Sequence, residues 1–268
     1  MTSGSIGLIA GSGTFPFLFA RAAKEQGLTV HAVAHRGEAD PALEAEVESF
    51  TWVKLGQAKG ILTALKKAGV DRAVMAGGIG RARSLREAWP DAGAWAIAKR
   101  LRGFRDDELL RAIAAYFEEG GVRIVAPTDF VKQVLAPKGL LAGPKLTAAQ
   151  ERDVEIGREV ALSLGKADVG QTVVVKDGAV VAVEAVEGTD EAIRRGGHLG
   201  GKGAVVVKRV KPGQDLRFDL PAAGPVTLEV MREVGARVLA VEAGRTVLLD
   251  GPQLFKLAER LGISVVGM

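Results

Sequence analysis

The stretch at residues 6–34, IGLIAGSGTFPFLFARAAKEQGLTVHAVA, decides how the first half of the chain is read. Residues 6–10 are a compact apolar run that stops at glycine, as a buried strand does. The segment after it puts Phe15, Leu18, Phe19 and Ala22 on one helical face. Thr14 or Gly13 serves as N-cap, and Pro16 falls early in the helix, where its missing N–H costs nothing. Gly27 closes the helix, and residues 29–34 form a second strand. Strand, glycine turn, helix and strand in this order make a βαβ opening.

The turn carries chemistry as well as shape. Gly11, Ser12, Gly13 and Thr14 lie between a strand and a helix N-terminus, an arrangement that aims backbone N–H groups at an anion such as phosphate. A dinucleotide fingerprint would need G-x-G-x-x-G and an acid closing the second strand. Here Pro16 takes the third glycine's place, and His35 and Arg36 stand where the acid belongs, with Glu38 and Asp40 only later. Phosphate binding is therefore readable from this turn and NAD binding is not; a purely structural strand–helix turn is the alternative.

Outward from this unit the pattern repeats: ESFTWVKL as a strand, AKGILTALKKAG as a helix, RAVMAGG as a strand. Gly77 and Gly78 follow that last strand at its carboxyl end, where open α/β sheets bind ligands. Arg81 comes next, either a phosphate clamp or a surface arginine. Residues 84–120 read as helical with a break at Pro90, and residues 122–126 as a strand. PTD then starts a helix reaching Val134. Arg100, Arg102 and Arg105 beside Leu101 and Phe104 suit either acidic headgroups or a solvated helix face. KGLLAGPKL, residues 138–146, is rich in Gly, Pro and Lys and reads as a junction. The expected fold class is α/β in two domains. Residues 1–143 form a Rossmann-like open sheet with helices, and residues 144–268 a mixed α/β domain.

The second half opens with a long helix from Thr147, then a hairpin turning at Asp177-Gly178. Glu184 and Glu187 lead into Gly188, Thr189 and Asp190 at the entry of a short helix. Thr189 and Asp190 there are either caps or ligand contacts. Lys202, flanked by glycines, reads as a loop amine that reaches a ligand. Residues 208–227, KRVKPGQDLRFDLPAAGPVT, gather Asp215, Arg217 and Asp219 with Lys208 just upstream. If LRFDL is a strand, the three share one face. Two carboxylates beside a guanidinium then favour a cation between them, and Mg²⁺ takes one or two carboxylates with water and phosphate oxygens. A solvated loop with an Asp–Arg pair is the plainer alternative.

Composition excludes several classes. The chain has 268 residues, 47% hydrophobic and 25% charged, the balance of a globular protein with a good core. Lys plus Arg is 36 against 32 acids, a net charge of +4, with no basic block of the kind that binds nucleic acid. Aromatic content of 5% argues against base-stacking platforms. With no cysteine, disulfides, thiolate metal sites and cysteine nucleophiles are excluded, and His31, His35 and His198 are too scattered for a histidine metal site. No apolar run reaches the length of a spanning helix, so a cytoplasmic protein is expected.

Together the segments IGLIAGSGTFP, AGGIGR, APTDF, VEAVEGTDEAI, VVKRVKPGQD and RFDLPAAGPVT resemble the LpxI family of UDP-2,3-diacylglucosamine pyrophosphatases of lipid A biosynthesis. They span nearly the whole chain in the expected order. The resemblance implies a Mg²⁺-dependent hydrolase producing UMP and 2,3-diacylglucosamine 1-phosphate, with water directed to the sugar-side phosphorus and two domains enclosing the lipid in a cleft. It implies a lipid-linked nucleotide sugar as partner, no nucleic acid, a homodimer, and peripheral contact with the cytoplasmic face of the inner membrane. Within that frame Asp219 and Asp215 are the expected catalytic residues. Both are also expected metal ligands, with Asp190 and Glu187 as further ones. Gly11, Ser12, Gly13, Thr14, Gly77, Gly78, Arg81, Thr189, Lys202, Lys208 and Arg217 are the expected substrate contacts. A nucleotide-cofactor oxidoreductase and a non-catalytic binding protein are the competing classes.

Overall fold

The computed structural model describes residues 4–79, 89–101, 106–213, 215, 217–218 and 221–268. Packing divides the chain into two compact units: Met1–Lys132 with Asp215–Asp219, and Gln133–Gln214 with Leu220–Met268.

In the first unit the elements run β1 (Ser5–Ala10), α1 (Phe15–Glu25), β2 (Thr29–His35), β3 (Ser49–Val53), α2 (Ala58–Lys67), β4 (Arg72–Ala76), α3 (Ala92–Ala98), α4 (Asp106–Glu119) and β5 (Arg123–Ile124). The strands make a 5-stranded sheet in the order β3-β2-β1-β4-β5, parallel throughout. Such a sheet must be covered on both faces, which is why β1 reads as an almost unbroken apolar run. Ile9, Val33 and Val53 share one face and pack with Ile61 and Leu65 of α2 and Phe117 of α4. Leu65 and Phe117 are fully buried, each contributing about 1.5–3 kcal/mol by its removal from water. Helix α1 begins at Thr14 with Pro16 in its first turn, as its sequence predicts. At its other end the Gln26 side-chain amide donates to the Phe130 carbonyl at 2.7 Å.

The second unit continues β6 (Gly139–Ala142), α5 (Ala148–Lys166), β7 (Thr172–Lys176), β8 (Ala179–Val183), α6 (Thr189–Gly200), β9 (Val205–Lys208), β10 (Ala222–Ala223), α7 (Pro225–Val234), β11 (Val238–Val241), β12 (Val247–Leu248), α8 (Gly251–Leu261) and β13 (Ser264–Gly267). A 6-stranded sheet has the order β6-β13-β11-β9-β7-β8, and β10 pairs with β12 in a small 2-stranded one. β9, β11 and β13 are parallel, and the other strands of the large sheet run against their neighbours. Alternation assigns the two faces. Val205, Val207, Val173 and Val175 lie on the side of α5, while Val206, Leu239 and Val174 pack with Ile193, Leu228 and Leu254 of α6, α7 and α8. Helix α5 opens with a capping box: Gln150 N–H donates to the Thr147 hydroxyl at 3.3 Å and Thr147 N–H to Gln150 Oε1 at 2.9 Å. The hairpin turns at Asp177 (φ 49°) and Gly178 (φ 83°), both left-handed as such a turn requires. Buried Asp153 of α5 accepts both turn N–H groups, at 3.0 and 2.7 Å.

Three expectations change. The junction read at residue 143 lies earlier, between Lys132 and Gln133, because residues 139–142 pair antiparallel with β13 instead of linking domains. Residues 127–134 form separate 3₁₀ turns, Pro127–Asp129 and Lys132–Val134, not one helix. LRFDL is not a strand at its described positions: Arg217 and Phe218 lie in a turn closed by Phe218 N–H donating to the Asp215 carbonyl at 3.0 Å. Asp215 draws the chain round by accepting both the backbone N–H and the guanidinium of Arg217, a local bond that competes with any ladder.

Candidate active site

Strand β1 is followed by β2 on one side of the sheet and flanked by β4 on the other, so the topology switches between β1 and β4, where open sheets leave a crevice at their carboxyl ends. Both glycine turns are there, and they are joined. Gly11 N–H donates to the Ala76 carbonyl at 2.8 Å, Ser12 N–H to the Gly78 carbonyl at 2.8 Å, and Gly78 N–H back to the Ser12 carbonyl at 3.1 Å. The Ser12 hydroxyl adds a bond to the Gly78 carbonyl at 3.0 Å. The backbones approach so closely that a Cβ on Gly11 would lie 2.3 Å from the Gly78 oxygen, and one on Gly77 2.5 Å from the Ser12 oxygen. Ser12 and Gly78 thus satisfy one another. Among the described residues the N–H groups of Gly13 and Thr14 take no such partner, and they sit at the open end of α1 with nothing within 4 Å of a Cβ placed on Gly13. The N–H groups of this turn that stay open to an anion are therefore those of Gly13 and Thr14, since Phe17 and Leu18 N–H donate to the Thr14 carbonyl at 3.1 and 3.2 Å. Arg81 lies outside the described residues.

His35 ends β2 on the same carboxyl edge. It is 5% exposed, and its Nδ1 is buried with no hydrogen-bond partner among the described residues. Burial pushes the imidazole down to about 4, so it is neutral at pH 7.

The 215–219 segment belongs to this first unit. Arg217 grips Asp215 side-on, Nε donating to Oδ1 at 2.9 Å and Nη2 to Oδ2 at 2.7 Å, and reaches Glu118 of α4 with Nη1 at 3.0 Å. Phe218 packs against the apolar cluster of that face. The Arg217 hydrogen bond holds the Asp215 carboxyl below its usual range, and Asp215 raises Arg217 in return. Asp219 lies outside the described residues.

In the second unit a buried polar chain brings together two expected contacts. Lys208, 7% exposed at the carboxyl end of β9, donates from Nζ to Thr189 Oγ1 at 3.2 Å and to the Ala222 carbonyl at 2.9 Å. Thr189, the first residue of α6, donates its hydroxyl to Glu184 Oε1 at 3.1 Å, and Thr172 Oγ1 stands 3.3 Å from the same hydroxyl. Lys202 is not part of this group: it precedes β9, whereas Lys208 ends it. Asp190 is half-buried in the first turn of α6. Glu187 is exposed and paired with Arg195; its own backbone N–H and that guanidinium hold its carboxyl below the usual range.

The expected metal ligands do not assemble among the described residues, where no group of three metal-ligating side chains occurs. Asp215 and Glu187 are each committed to an arginine. A Mg²⁺ ion here would be held mainly by substrate phosphate oxygens and water with one carboxylate, a mode that ion accepts. Glu184 is expected only as an acidic neighbour of the Thr189 helix entry, and Thr172 and Glu118 are not expected at the site. The one local signal was Thr172, a lone hydroxyl residue at the head of the valine strand β7.

Residues 5–134 match the LpxI N-terminal domain and residues 137–266 the LpxI C-terminal domain. The UDP-2,3-diacylglucosamine pyrophosphatase LpxI of Caulobacter vibrioides is 32% identical over 278 residues, covering 98% of this chain and 97% of that one. Among solved structures, the biotin carboxylase domain of the Hydrogenobacter thermophilus 2-oxoglutarate carboxylase overlaps 65% of this chain and 35% of its own at 15% identity and a TM-score of 0.28. An L-amino acid ligase from Bacillus licheniformis overlaps 69% and 40% at 14% identity and the same TM-score of 0.28. Overlaps that loose bear on neither fold nor chemistry. No described helix is long and apolar enough to cross a membrane. With both domain families matched in order and a relative aligned end to end, the chain belongs to the LpxI family of enzymes.

Proposed function

We propose that this chain hydrolyses the pyrophosphate of UDP-2,3-diacylglucosamine to UMP and 2,3-diacylglucosamine 1-phosphate in lipid A biosynthesis. The observation that carries the reading is the end-to-end likeness to the Caulobacter vibrioides pyrophosphatase, 32% identical over 98% of this chain. In the reaction, water oxygen bonds to the sugar-side phosphorus while that phosphorus releases the bridging oxygen with UMP. Most of the barrier is charge that builds on the phosphoryl oxygens and the leaving group, so fixed donors and cations do the larger share of the work. Lys208 is assigned to phosphate oxygens, as a buried ammonium whose direction is set by Thr189 and Ala222. The Gly13 and Thr14 N–H groups are assigned to a second anionic oxygen. Asp219 is assigned to orient the attacking water. Mg²⁺, when bound, neutralises the pyrophosphate. Arg217 stays with Asp215 and Glu118 and acts by fixing the segment that leads to Asp219.

The finer expectations belong to the same proposal: a homodimer, and peripheral contact with the cytoplasmic face of the inner membrane. The oxidoreductase and non-catalytic alternatives give way to the family. Purified protein incubated with UDP-2,3-diacylglucosamine and Mg²⁺ is expected to release UMP, and to stop when the metal is chelated. Asp219→Ala is expected to keep substrate binding while losing most of kcat. An intact substrate with wild-type protein, or unaltered kcat in Asp219→Ala, overturns the corresponding part.

A further inference from the structure

We infer that Glu184 is a positioning residue for the reaction: it fixes the Thr189 hydroxyl, and through that hydroxyl the direction of the Lys208 ammonium. The inference rests on the reading that Lys208 engages substrate phosphate. Its basis is the polarity of the hydrogen-bond chain. Glu184 is 8% exposed and Lys208 7% exposed, and among the described residues both bond to the Thr189 hydroxyl, which stands between them. An ionised carboxylate only accepts, and an ammonium only donates. The single Thr189 hydroxyl proton must therefore point to Glu184 Oε1 at 3.1 Å, which turns the oxygen lone pairs toward Lys208 Nζ at 3.2 Å and Thr172 Oγ1 at 3.3 Å.

Two consequences follow for substrate binding. The Thr189 hydroxyl has no proton left for a phosphate, so its contribution to binding runs through Lys208. The ammonium, anchored on Thr189 and on the Ala222 carbonyl at 2.9 Å, has two N–H directions fixed before substrate arrives. Glu184 in turn is held by Gln171 N–H at 3.4 Å from Oε2, and its own backbone N–H bonds the Thr172 carbonyl at 2.8 Å. The backbone therefore fixes the carboxylate, and the carboxylate fixes the hydroxyl. Such a preset donor lowers the ordering cost of binding, an effect that belongs in KM.

The test compares Glu184→Gln, Thr189→Val, Thr189→Ser and Lys208→Met in the full chain. In ¹⁵N-labelled wild type, the Lys208 ammonium, identified by its loss in Lys208→Met, should give a protected ¹H–¹⁵N signal. That signal should broaden or move in Glu184→Gln and Thr189→Val and return in Thr189→Ser. KM for UDP-2,3-diacylglucosamine should rise about tenfold in the first two, with kcat nearly unchanged, and recover in Thr189→Ser. An unmoved ammonium signal in Glu184→Gln overturns the inference, whether or not the enzyme turns over this substrate. A signal that moves in Glu184→Gln while KM stays flat there but rises in Lys208→Met also overturns it. An unchanged KM in Lys208→Met overturns instead the reading of Lys208 as a substrate contact, while the spectra still decide Glu184. A purely structural role for Glu184 would lower thermal stability and leave KM alone.

Discussion

Replacing Gly11 by alanine tests whether the two glycine turns form one rigid device. The new methyl would sit 2.3 Å from the Gly78 carbonyl oxygen and 3.0 Å from the Gly77 and Gly78 carbonyl carbons, all backbone atoms with no rotamer to escape into. Relief needs a shift of the order of 1 Å, about the gap to an ordinary contact distance. That shift breaks or stretches Ser12 N–H to Gly78 at 2.8 Å, Gly78 N–H to Ser12 at 3.1 Å, and the Ser12 hydroxyl bond at 3.0 Å. At about 1 kcal/mol net for each, the loss is about 3 kcal/mol. If the bonds hold instead, overpacking costs about 1–3 kcal/mol. At about 2–4 °C per kcal/mol for a chain of this size, the first route predicts a fall in Tm of about 6–12 °C and the second about 2–12 °C, read by far-UV circular dichroism. Gly13→Ala is the control. Nothing lies within 4 Å of its methyl, so only the left-handed backbone at φ 91° resists it, at about 1 kcal/mol. A Gly11→Ala protein within about 0.5 kcal/mol of wild type, or one no worse than Gly13→Ala, would refute the coupling of the turns.

Three further outcomes follow from particular residues. His35 is depressed to about 4 from 6.5 by burial, so the unfolded chain takes up a proton that the folded one refuses. Stability should therefore fall by about 3 kcal/mol as pH drops from 6.5 to 4, and His35→Leu should flatten that limb of a urea-denaturation series against pH. Asp215 has its carboxyl lowered by Arg217, so its stabilisation is complete above 3.8 and is lost as pH falls below that value; Asp215→Asn should remove this acid limb and leave the curve at neutral pH nearly parallel. Asp153→Ala leaves the Asp177 and Gly178 N–H groups without their acceptor, and should cost about 3 kcal/mol in equilibrium unfolding, with Asp153→Asn retaining part of it.

How much of this was legible in the chain depends on range. The βαβ opening was readable because its periodicity and its glycine and proline are local, and the Asp177-Gly178 hairpin was readable for the same reason. The union of Ser12 with Gly78 was not, since it spans 66 positions and no property of either turn announces it. LRFDL misleads because Asp-x-Arg alternates like a strand whether its bonds run to a neighbour strand or within itself, and here Arg217 bonds Asp215. KGLLAGPKL looks like a linker, yet its Gly139–Ala142 portion makes an edge strand on β13. Among the site residues, Thr189 and Lys208 are separate expectations that prove to be hydrogen-bonded, while Glu184 stands in the VEAVEGTDEAI segment with nothing in its spacing that ties its carboxylate to the Thr189 hydroxyl.

Hydrolysis of UDP-2,3-diacylglucosamine in H₂¹⁸O, followed by mass spectrometry of both products, reads both the activity and the phosphorus attacked. One ¹⁸O is expected in the phosphate of 2,3-diacylglucosamine 1-phosphate and none in UMP, because water attacks the sugar-side phosphorus and UMP leaves with the bridging oxygen. Label in UMP would contradict the direction of attack, and unchanged substrate would contradict the activity itself.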